Sequence, residues 1–127
     1  MTITKRVDRD VVLEWANAAA AVADDKQGFD TTVLEVGAVM GITDFFVITS
    51  GSNSRQVRTI AEEIEKRLKN LGVGPPRVEG RSDLTWVLID YGDLVVHVFL
   101  EETRRFYDIE RLYRDVPVID WRRAGVR

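Results

Sequence analysis

Four consecutive apolar residues, Phe45-Phe46-Val47-Ile48, give a strand with no polar side to turn towards water. Such a strand belongs in the middle of a sheet, with both faces covered. The run stops at Thr49-Ser50-Gly51-Ser52-Asn53-Ser54, and a helical pattern begins at once. In that helix Val57, Ile60, Ala61, Ile64, Leu68 and Leu71 form one stripe. Arg55, Arg58, Glu62, Glu63, Lys66, Arg67 and Lys69 occupy the other side, the arrangement of a helix laid on a core. Gly72 stands where a terminating glycine belongs.

The remaining segments extend this strand–turn–helix unit. Val12, Trp15, Ala16, Ala19 and Ala23 recur at helical spacing, so a helix is expected over 8–25 with Asp8 as its cap. Residues 31–36 are rich in β-branched side chains and predict a short strand. Gly37 and Gly41 bracket a connector, and 77–80 reads as a brief strand after Gly74-Pro75-Pro76. Strands over 84–89 and 94–100 flank Asp90-Tyr91-Gly92-Asp93, a tight hairpin turn. A last helix is expected from 101 to about 114, with Phe106, Ile109, Leu112 and Tyr113 as its buried stripe. The tail from about 116 contains Pro117 and is expected to be irregular. The order predicts an α/β fold: one domain over 1–127, a mixed β-sheet and flanking helices.

The turn at Gly51 raises the question of chemistry. A P-loop needs a second glycine and a lysine for the outer phosphates; after Gly51 the next glycine is Gly72. A nucleophile elbow needs the form G-x-S-x-G, and Gly51-Ser52-Asn53-Ser54 lacks the closing glycine. Nucleotidyltransferases also place Gly-Ser between strand and helix, then use paired carboxylates to hold metal ions. Here Asn53-Ser54-Arg55-Gln56 follows instead. Asp108-Ile109-Glu110 has the D-x-E spacing but falls on the expected last helix, where i and i+2 diverge. Helix capping explains the turn: Ser52 or Asn53 as the cap, with Asn53-x-x-Gln56 as a box-like pair.

Bulk composition narrows the function further. The 127 residues carry 18 basic and 21 acidic side chains, a net charge of −3, which argues against binding nucleic acid by phosphate neutralisation. The chain has no cysteine and one histidine, His97, so neither a thiolate nor a multi-histidine metal site is available within it. No cofactor or metal is expected. The start shows no secretory pattern and no apolar run has membrane-spanning length, so a cytoplasmic protein is expected.

The hairpin carries the most distinctive surface. With Tyr91-Gly92 as a two-residue loop, Leu88 opposes Val95 and Trp86 opposes His97. One face then holds Leu84, Trp86, Leu88, Val95, His97 and Phe99; the other is aliphatic, with Val87, Ile89, Leu94, Val96, Val98 and Leu100. The mixed face suits recognition, with Asp90 and Asp93 at one end. Arg104-Arg105-Phe106-Tyr107 interleaves cations with aromatics and suits contact with RNA or an acidic partner.

Taken in order, Asp44-Phe45-Phe46-Val47-Ile48, Ser50-Gly51-Ser52, Trp86-Val87-Leu88-Ile89-Asp90-x-Gly92-Asp93, Val96-His97-Val98-Phe99 and Arg104-x-x-Tyr107-x-x-Glu110-x-Leu112 resemble the Iojap-like ribosomal silencing factor family. The resemblance spans roughly residues 11 to 115. It implies a nucleotidyltransferase-like topology lacking the catalytic carboxylates, and a protein that binds rather than catalyses. It further implies docking on large ribosomal subunit protein fourteen, hindered joining of the small subunit, and lowered translation when nutrients are scarce. Trp86, Asp90, Gly92, Asp93 and His97 match the family's positions. Leu112-Tyr113 departs from the Leu-Trp common in the family. The candidate partner contacts are therefore Trp86, Leu88, Asp90, Gly92, Asp93, His97, Arg104, Arg105 and Tyr107. The competing expectations are a nucleotidyltransferase-type enzyme whose carboxylates meet only in three dimensions, and a free RNA-binding module. An exposed apolar face would also favour a homodimer. No membrane or DNA contact is expected.

Overall fold

The computed structural model describes residues 7–124. Its elements are α1 (Arg9–Asp25), β1 (Phe29–Glu35), α2 (Gly37–Met40), β2 (Phe45–Gly51), α3 (Ser54–Asn70), β3 (Arg77–Glu79), β4 (Trp86–Asp90), β5 (Leu94–Leu100), α4 (Glu101–Tyr107), a 3-10 turn over Ile109–Tyr113, β6 (Val118–Ile119) and α5 (Trp121–Ala124). The strands form one sheet in the order β3-β4-β5-β2-β1-β6. β2 runs parallel to β5, and every other neighbouring pair is antiparallel. The mixed α/β sheet expected from the sequence is therefore present.

β2 lies where its two-sided apolar character requires. All seven of its residues are buried, between β5 on one side and β1 on the other. α1 and α3 cover one face of the sheet. There Val12, Ala16, Ala19 and Ala23 of α1 meet Val57, Ile60, Ile64 and Leu68 of α3 over Phe45, Val47, Val96 and Val98. The alanines let the helices approach closely, and burial of this apolar surface is the main driving force for the fold. The opposite face holds a smaller cluster of Leu34, Val36, Phe46, Ile48, Val95 and Phe99. Its cover comes from short pieces: Met40 of α2, Ile109 and Tyr113 of the 3-10 turn, and Val116 just after it.

The strand-to-helix turn is a cap. Asn53 Oδ1 accepts a hydrogen bond from the Gln56 backbone N–H at 2.9 Å. Gln56 Oε1 reaches back to the Ser52 N–H at 2.7 Å and Ser52 Oγ at 2.9 Å. Asn53, not Ser52, is thus the capping residue. The Gln56 amide also donates to the Gln27 carbonyl at 2.8 Å, tying α3 to the end of α1.

Four expectations are corrected. The hairpin pairs Trp86 with Phe99, Leu88 with His97, and Asp90 with Val95. The turn sits one residue later than expected, at Gly92-Asp93: Tyr91 N–H donates to the Leu94 carbonyl across it, and Asp90 Oδ1 accepts from Gly92 N–H, each at 2.8 Å. The register moves by two, so each side chain keeps its face. Leu84 leaves the mixed face, because the strand begins at Trp86. At φ +58° it lies in a turn closed on Gly80 and enters the core under the helices. Gly80 itself, at φ +90°, passes so close to β4 that a Cβ would collide with the Trp86 carbonyl oxygen.

The last helix stops at Tyr107, where Asp108 turns left-handed (φ 47°). Phe106, still within α4, points outward at 80% exposure, and after the 3.6-residue period is lost Leu112 does so at 77%. Ile109 and Tyr113 still pack inward. As far as Ala124 the tail is ordered structure, and the rest of that expectation lies outside the described residues: β6 adds to β1 through Val33–Ile119 and Leu34–Val118. Trp121 is buried and donates from Nε1 to the Thr31 carbonyl at 3.0 Å.

Candidate functional site: an aromatic sheet face

Alternation along β4 and β5 puts Trp86, Leu88, Val95, His97 and Phe99 on the side away from α1 and α3. Phe46 joins them from β2 and Tyr107 from α4. Trp86 stacks on Phe99 with ring centres 4.7 Å apart, and Tyr107 lies 5.0 Å from Trp86. Phe46 meets His97 edge-on at 4.7 Å and Tyr113 at 5.1 Å. Offset and edge-to-face contacts of this kind hold each ring in a defined place. Trp86 and Leu88 are half-buried and Tyr107 is 53% exposed, while His97 is 5% exposed and Phe99 fully buried.

His97 is the polar centre of the face. Its Nδ1 accepts the Trp86 indole N–H at 3.2 Å. That contact leaves the imidazole proton on Nε2, which has no partner among the described residues. Burial pushes the His97 pKa down to about 4, and the charge of Asp90 only partly opposes it. The ring is neutral at pH 7. Its accepting nitrogen orients the tryptophan, and its basicity is too low for efficient general-base work near neutrality.

The other predicted residues fall into two groups. Asp90, Gly92 and Asp93 form the hairpin loop beside this face. The loop is held by the Thr43 hydroxyl donating to the Gly92 carbonyl at 2.9 Å, and by Asp44 N–H donating to the Asp93 carbonyl at 2.8 Å. Arg104 turns inward. Its guanidinium grips Glu110 through two bonds of 3.0 and 2.9 Å, and donates to Ser50 Oγ at 2.8 Å. Arg105 is exposed and pairs with Glu101 at 3.1 Å. Two residues not singled out in the sequence, Val39 on α2 and Ile42 just after it, also reach the surface, and both are largely exposed. Val39 and Ile42 flank Gly41 in what reads as a connector; apolar residues on both sides of a turn glycine were the available signal.

The parallel strands β2 and β5 end at the same edge, where α/β folds place ligands. The small cleft there, about 270 Å³, is lined by Asp30, Ser50, Glu101, Arg104, Arg105, Asp108 and Glu110. Glu110 and Glu101 are already held by Arg104 and Arg105. Among the described residues, no group of three or more acidic or imidazole side chains is arranged to hold a metal ion. None of their helices is long and apolar enough to cross a membrane.

Comparison with known proteins settles what this arrangement belongs to. The family described as "Ribosomal silencing factor during starvation" matches residues 10–126. The chain belongs to the ribosomal silencing factor family. Ribosomal silencing factor RsfS of Bacillus subtilis (strain 168) is 38% identical over 102 residues, covering 80% of this chain and 86% of that protein. The chloroplastic Iojap protein of Zea mays is 30% identical over 112 residues, 85% of this chain and 47% of that protein. A crystal structure from Chromobacterium violaceum superposes with a TM-score of 0.78 at 33% identity, covering 80% of this chain and 85% of the other. The Iojap-like family and its α/β fold, expected from the ordered motifs, are both present.

Proposed function

We propose that this ribosomal silencing factor acts by binding, without catalysis. It docks on the large ribosomal subunit at protein fourteen through the aromatic face. It thereby excludes the small subunit and represses translation under nutrient limitation, in the cytoplasm. The observation that carries this reading is the partly exposed Trp86–Tyr107 pair, fixed from behind by His97 and Phe99. Rigid aromatic anchors of this type dominate binding energy in interfaces of about 1,600 Å². Leu88, Asp90, Gly92 and Asp93 extend the contact along the hairpin, and Arg105 supplies charge at its α4 edge. Arg104, held by Glu110 and Ser50, supports α4 from beneath. Blocking is steric and needs no reacting group.

A sedimentation experiment with purified subunits tests the proposal. The protein should migrate with the large subunit alone and reduce formation of joined particles. Migration with the small subunit, or unchanged joining at saturating protein, would refute it. Magnesium-dependent turnover of a nucleoside triphosphate, abolished by a substitution in this chain, would instead establish the enzyme reading. The same face offers a surface for a second copy, so self-association is expected to compete with subunit binding.

A further inference from the structure

A second site lies on the opposite side of the sheet. α1 and the end of α3 leave an open cleft of about 590 Å³, and α5 closes one end of it. Trp15 and Trp121 supply flat apolar walls, with Leu71 at the rim. Arg67 and Arg122 bring two guanidiniums to the same cleft. Arg122 is engaged by Asp24 at 3.2 Å and lies 4.5 Å from the Trp121 ring centre. Arg67, in the last turn of α3, forms no ion pair among the described residues. Asn17 also lines the cleft, and its Oδ1, shielded from water, accepts no hydrogen bond among the described residues.

We propose that this cleft binds a small planar aromatic acid. Its size falls in the range of small-molecule sites, about 300–1,000 Å³, which join apolar walls to a few placed polar groups. A flat ring system fits against the Trp15 indole, with Trp121 and the Arg122 guanidinium over its ring as the end wall. A carboxylate, sulfonate or phosphate pairs with Arg67, whose planar fork suits such oxyanions. An N–H or O–H on the ring meets the Asn17 amide. Glu14 on the rim disfavours ligands carrying further negative charge. The aromatic sheet face lies across the sheet, so ligand and protein partner bind without overlap.

The probe pair is 8-anilino-1-naphthalenesulfonate and its neutral parent N-phenyl-1-naphthylamine, titrated into the full chain and followed by ¹H–¹⁵N spectra. The sulfonate should bind saturably, one per chain, shifting the Trp15 and Trp121 indole signals while the Trp86 indole stays in place. The neutral parent should bind at least tenfold more weakly. Arg67→Gln should weaken the sulfonate at least fivefold. Ala21→Leu, at an exposed position on the cleft wall, should abolish binding while the spectrum stays that of the folded protein. Shifts centred on Trp86 and Tyr107, equal binding of the two probes, or full binding by Arg67→Gln would each overturn the proposal. So would probe-free shifts at Trp15 that depend on protein concentration, since a second copy would then fill the cleft.

Discussion

His97 links stability to pH through one buried ring. Its folded-state pKa, about 4, lies below the ordinary value of 6.5 because burial disfavours the charged form. Folding therefore favours the neutral ring. The contribution is complete above about pH 6.5 and is lost as pH falls towards 4, by up to about 3 kcal/mol. Denaturant melts from pH 7 to pH 4 should show this loss, and His97→Asn should flatten it, since asparagine still accepts the indole N–H but cannot titrate. An unchanged pH profile in that variant would remove His97 as the cause. Tyr107→Ala tests the anchor pair. With Tyr107 half in solvent, its truncation should change stability by about 1 kcal/mol or less yet weaken subunit binding by roughly 2 kcal/mol. Trp86→Ala should weaken binding at least as much, measured on the folded fraction. Normal binding in both would leave the face without a role.

At the scale of elements, the cap, the hairpin and the last helix show what a sequence discloses. Asn53, Gln56 and the α3 stripe are local: side chains bond to backbone three residues away, so residue type and spacing reveal them. Asn53→Ala should destabilise the fold by about 1 kcal/mol, more than Ser52→Ala, in thermal melts that leave subunit binding unaltered. Equal effects would mean that the two share the cap. The β4–β5 faces were legible because alternation survives a two-residue change of register. The register itself was not, because loop closure at Asp90 and Gly92 fixes it and more than one turn placement fits the same pattern. The break at Asp108 was hidden for a different reason. Its left-handed backbone lets Arg104 pair with Glu110 across it, six residues on, a contact that a continuous helix does not bring together and that no helical spacing would point to. Which site residues would point outward was equally illegible, as Arg104 and Arg105 are neighbours of one type with opposite fates.

Across the whole molecule, the tail shows the largest gap between sequence and structure. Pro117 suggests an irregular end, yet β6 pairs with β1 and Trp121 closes the core beside α1. Partners some ninety residues distant in the chain leave no local pattern to read. Trp121→Ala should lower stability by about 3–5 kcal/mol. Because Trp121 and Trp86 lie on opposite sides of the sheet, it should spare subunit binding by the folded protein. A stable Trp121→Ala variant would mean the tail is an appendage to the fold.

The two sides of the sheet are also roofed unequally. α1 and α3 have 17 residues each, whereas α2 has 4 and α4 has 7. Helices shorter than about 12 residues hold little structure of their own. Amides in α2 and α4 should therefore exchange hydrogen through small local openings, while those of β2 and β5 wait for global unfolding. The aromatic face thus sits under a roof that a partner can lift and reshape, with the frame beneath it left intact.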